Sequence, residues 1–68
     1  MNEEALNHSI RKFLKMVGVQ SQREIEQAVR RAVQENKVNG NAALPATMTL
    51  DIAGVQLHVK FDGMIELE

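Results

Sequence analysis

Sixty-eight residues make one small domain with no room for a second. With no cysteine, the chain has no disulfide and a structural zinc site is not expected, and with no tryptophan or tyrosine its core must be aliphatic. A hydrophobic content of 44% is too high for a disordered chain, charge interrupts it too often for a membrane span, and a formal net charge of −1 argues against strong nonspecific binding to nucleic acid or acidic membranes.

The opening Met1-Asn2-Glu3-Glu4 has neither a basic nor an apolar leader region, so the cytoplasm is the expected compartment. Asn2 reads as a helix N-cap, and Glu3 and Glu4 stand where the helix dipole favours negative charge. Leu6, Ile10, Phe13, Leu14 and Val17 recur at helical spacing, and Gly18 reads as a left-handed C-cap. Ser21-Gln22-Arg23-Glu24 has the pattern of a capping box that would open a second helix. Its apolar stripe is Ile25, Ala28, Val29, Ala32 and Val33, and it should end between Asn36 and Gly40.

Residues 41–46 read as a connector in which Pro45 forbids helix. The period then changes from 3.6 to 2, which predicts strands over 47–52, 55–60 and 64–68. A three-residue loop, Phe61-Asp62-Gly63, would pair Val59 with Ile65 and Leu57 with Leu67, leaving His58 opposite Glu66 and Lys60 opposite Met64. A further turn falls near Ala53-Gly54-Val55. The expected fold is therefore α+β in one domain, residues 1–68: two N-terminal amphipathic helices packed on a three-stranded antiparallel meander, ααβββ.

The chain resembles a small family of bacterial proteins of unknown function, about 65–70 residues long. Similar stretches are Met1-Asn2-Glu3-Glu4, Ser9-Ile10-Arg11-Lys12-Phe13-Leu14-Lys15, Val17-Gly18-Val19 and Ser21-Gln22-Arg23-Glu24-Ile25-Glu26. Leu44-Pro45-Ala46-Thr47 and Val59-Lys60-Phe61-Asp62-Gly63 continue it. The resemblance implies a bacterial cytoplasmic protein and no activity, cofactor or site residue.

Four features bear on chemistry. Arg23, Arg30, Arg31 and Lys37 form a basic ridge able to contact phosphates, although Glu24, Glu26 and Glu35 balance it and Glu26 is spaced to pair with Arg30. Gly18-Val19 before a capped helix resembles a helix–turn–helix, but Ile25 arrives one residue late and two glutamates would face the phosphates. His8 and His58 are far apart and read as surface residues, so no metal or cofactor is expected. With no nucleophile beside a base, no phosphate loop and too little chain for a pocket, an enzyme is not expected. Self-association through an open strand edge at Met48, Thr49 and Leu50 is the fourth. The leading expectation is a noncatalytic protein–protein interaction or accessory module that binds an unknown protein or a second copy of itself. The alternative is a nucleic-acid-associated protein using the basic ridge.

Overall fold

A computed structural model describes residues 1–68, which divide into two compact units, Met1–Lys37 and Val38–Glu68. The first unit is one helix, α1 (Glu3–Gln34). The second is an antiparallel hairpin of β1 (Ala43–Ile52) and β2 (Leu57–Glu66), joined through a short 3-10 turn at Ala53–Val55.

Helix α1 begins as its sequence indicates. The Asn2 side chain accepts a hydrogen bond from the Ala5 N–H at 3.1 Å, and the Asn2 carbonyl accepts from Leu6 at 3.0 Å. Its end is a Schellman motif: Asn36 is left-handed, its N–H reaches the Val33 carbonyl at 3.1 Å, and the Lys37 N–H reaches the Ala32 carbonyl at 2.8 Å.

Between those ends the expected two helices are one. No glycine has positive φ, so Gly18 is not a left-handed cap, and Ser21 lies mid-helix rather than in a capping box. The energetic reason is local. A helical glycine costs about 1 kcal/mol relative to alanine. Breaking the helix there would expose a full turn of backbone groups, and a cap recovers only part of that. Nothing between Val17 and Ile25 is a proline, and no turn remains for a helix–turn–helix.

Continuity reveals a spacing that two separate helices hide. Ile10, Leu14, Val17 and Ser21 are followed eleven residues later by Ser21, Ile25, Ala28 and Ala32. An eleven-residue repeat is about 3.67 residues per turn, so this seam stays nearly in line along a straight helix. Glu24 takes the place that follows Phe13 by the same interval and narrows the stripe in its second half.

The three-stranded meander is also corrected: there are two strands of ten residues each. β1 starts at Ala43, so most of the expected connector, Pro45 included, is strand; in a two-stranded sheet every strand is an edge and a proline is tolerated. Phe61, Asp62 and Gly63 form no loop but pair with Met48, Thr47 and Ala46. Val59 consequently faces Leu50 rather than Ile65, Leu57 faces Ile52 rather than Leu67, and His58 and Lys60 face Asp51 and Thr49.

This register puts the pairs Leu44–Ile65, Ala46–Gly63, Met48–Phe61, Leu50–Val59 and Ile52–Leu57 on one face. The pairs Pro45–Met64, Thr47–Asp62, Thr49–Lys60 and Asp51–His58 occupy the other. Neither unit buries a side chain within itself.

Candidate functional site

Helix α1 carries two distinct apolar faces. On the main stripe Leu14 is 55% exposed, and Leu6, Ile10, Phe13 and Ile25 are exposed as well. The second face is smaller. Lys12, Met16, Val19, Arg23 and Arg30 are spaced by four, three, four and seven residues, which lines them up along one side of a continuous helix. An open depression there is lined by Lys12, Lys15, Met16, Val19, Gln20 and Arg23. With Gly18 read as a helix end, Val19 belonged to a turn and Lys12 and Arg23 to different helices. The uninterrupted i, i+4, i+7, i+11 spacing was the signal that could have joined them.

The basic residues singled out from the sequence are therefore divided. Arg23 and Arg30 share this side of α1 with Lys12, whereas Arg31 is turned about 100° from Arg30. Lys37 lies beyond the helix, with its Nζ 3.1 Å from Glu35 Oε1. From Lys12 to Arg30 the side spans about 27 Å at 1.5 Å per residue. It is not uniformly cationic in effect: Arg30 Nη1 is 3.7 Å from Glu26 Oε2, the expected i,i+4 pair, and Gln22 Nε2 donates to Glu26 Oε1 at 2.9 Å.

In the hairpin, Met48 and Leu50 belong to the apolar face and Thr49 to the polar one. β1 pairs only with β2, so its outer edge at Met48, Thr49 and Leu50 is open. The apolar face is well exposed, with Phe61 56% and Met48 44% accessible. On the polar face Thr47 Oγ1 donates to Asp62 Oδ1 at 2.8 Å, and His58 Nδ1 is hydrogen-bonded to Asp51 Oδ1. His58 thus meets Asp51, not the expected Glu66.

Ser9 Oγ donates to the Leu6 carbonyl at 3.0 Å, an intrahelical bond. No group of three His, Cys, Asp or Glu side chains is placed to hold a metal ion. No helix is long and apolar enough to cross a membrane. What the surfaces offer chemically is contact: one long helical stripe, one flat apolar hairpin face, one open strand edge and one basic helix side.

No curated protein and no solved structure matches the chain. A model of a family of unknown function, DUF6494, matches residues 1–68, and the chain belongs to that family.

Proposed function

We propose that the protein is a noncatalytic interaction module whose apolar faces are covered by a protein partner. One observation carries this reading: neither the helix nor the hairpin buries a side chain within itself, although 44% of the residues are hydrophobic. Contiguous exposed apolar surface on this scale marks an interaction site. The hairpin face carries no charged residue, as a surface that closes against another protein requires. Affinity capture of the tagged protein from its native cells, followed by mass spectrometry, tests it. Wild type should return a specific protein or its own untagged copies, and Leu14→Glu should lose them. Identical recoveries from the two would refute the reading.

A second reading, association with nucleic acid, draws support from the alignment of Lys12, Arg23 and Arg30 on one side of the continuous helix. Three phosphate contacts would give an affinity that falls steeply with salt, with a logarithmic slope near −3 on duplex DNA. Titration of labelled DNA and RNA at two salt concentrations measures that slope. Flat titrations at low salt would remove this alternative. Charge reversal at Arg23 and Arg30 should abolish such binding and leave folding intact, since both side chains are exposed.

A further inference from the structure

Hydrogen bonding within the hairpin decides which backbone groups it leaves open. The Leu67 N–H donates to the Ala42 carbonyl at 3.0 Å, which makes Ala42–Leu67 a hydrogen-bonded pair of the antiparallel ladder. Such pairs alternate with non-hydrogen-bonded ones, so the five apolar pairs from Leu44–Ile65 to Ile52–Leu57 direct their N–H and C=O groups between the strands. The residues between them turn theirs outward: Ala43, Pro45, Thr47, Thr49 and Asp51 on β1, and His58, Lys60, Asp62, Met64 and Glu66 on β2. The β1 edge lacks a donor at Pro45, and its only charge is Asp51. The β2 edge has every donor and carries both signs of charge.

We propose that the outer edge of β2 pairs with the same edge of a second copy, antiparallel about a two-fold axis at Phe61, to give one four-stranded sheet. This edge is distinct from the apolar faces, so the proposal goes beyond the interaction reading. The chain cannot satisfy the edge by itself. Helix α1 uses its backbone groups in its own ladder, and the sheet has no third strand. Only an extended segment of another chain supplies the missing backbone partners.

The pattern about Phe61 selects a second copy as that chain. A two-fold axis there sets the residues before Phe61 against those after it in the second copy. Lys60 of each copy then lies opposite Asp62 of the other, and His58 opposite Met64. All four face outward, so each of these pairs exchanges both of its hydrogen bonds. Within the hairpin neither charge is matched, because Lys60 lies opposite Thr49 and Asp62 opposite Thr47. On the apolar side Phe61 meets Phe61, Val59 meets Gly63 and Leu57 meets Ile65, which carries that face across the axis without a charge.

Neighbouring axes fit less well. An axis at Lys60 or Asp62 sets like charges opposite each other, and one at Val59 sets Lys60 against His58. At Gly63 two glycines would face each other and leave the centre without side chains. Charges on an edge repel most invading strands. Here they favour a strand that presents the opposite signs in reverse order, as β2 itself does.

Sedimentation equilibrium of the full chain should give twice the 7.6-kDa mass. Lys60→Asp and Asp62→Lys should each weaken dimerisation about tenfold, and the double exchange should restore it, because opposite signs then meet again. Register is read without reference to charge by single cysteines, since the chain has none of its own. Under mild oxidation Phe61→Cys should form a disulfide between copies, whereas Met48→Cys and Thr49→Cys, on the far strand, should not. A 7.6-kDa mass throughout overturns the proposal. So does a dimer that the double exchange fails to restore, or one that cross-links through Met48→Cys or Thr49→Cys. Capture of a different protein that depends on Lys60 and Asp62, with the chain alone at 7.6 kDa, gives the edge to a foreign strand and equally overturns it. None of these outcomes bears on the apolar faces, whose coverage Leu14→Glu reads.

Discussion

Asn36 and Gln56 are the two non-glycine residues with left-handed backbone, at φ 59° and 56°. Their costs differ. Asparagine visits this region readily and stands where a helix C-terminus uses it. Glutamine has no such tolerance, and Gln56 holds the conformation because the loop between Ile52 and Leu57 needs it, with the Gln56 N–H bonded to the Ala53 carbonyl at 3.1 Å. Gln56→Gly should therefore raise stability by about 1 kcal/mol, read as a higher denaturant midpoint at unchanged slope. The turn that the sequence puts near Ala53-Gly54-Val55 is present, and its left-handed position is Gln56. Gly54 takes a conformation open to any residue, and the strained place went to Gln56. At the same scale Asn2 was legible as a cap because its short amide satisfies a nearby N–H whatever the rest of the chain does.

Elements add cooperativity, which is where local signals failed. Gly18 and Ser21 each carry a real preference worth about 1 kcal/mol, and both point to a break. The helix runs through them because every added residue contributes a backbone hydrogen bond to a ladder already nucleated on both sides. Gly18→Ala should stabilise the helix by about 1 kcal/mol with no change in helical content by circular dichroism, since a Cβ at Gly18 meets nothing within 4 Å. Gly18→Pro should cost about 3 kcal/mol or more and lower the helical signal, because proline removes the bond to the Leu14 carbonyl and crowds it. Two short helices would have tolerated it. In the hairpin, the period-2 pattern was legible over 47–52 and 55–60, although Val55 and Gln56 belong to the turn and β2 starts at Leu57. Alternation alone did not decide whether Phe61-Asp62-Gly63 was a loop, since Asp-Gly is a strong hairpin signal. The ten-pair register keeps Phe61 opposite Met48 and all five apolar pairs on one face, which a turn at Gly63 would forfeit.

For the whole molecule, stability depends on what covers its apolar faces. An isolated two-stranded hairpin is marginal in water, and an amphipathic helix draws most of its stability from what its stripe packs against. If two copies fold together, mass action makes stability depend on concentration. A hundredfold increase in protein should raise the melting temperature by roughly 10 °C for a dimer of this size. A transition that stays put over that range would show a chain that folds alone.

The chain's own residues determined what is local and periodic: the Asn2 cap, the apolar seam of α1, the β alternation after Pro45, the Glu26–Arg30 pair and family membership across residues 1–68. Three dimensions decided how many elements those patterns make. Whether Gly18 interrupts a helix, and whether Asp62-Gly63 turns a strand, depends on backbone ladders and cross-strand partners summed over thirty residues. Those sums exceed the roughly 1 kcal/mol that any single cap or turn residue contributes, and that is why the structure has one helix and two long strands.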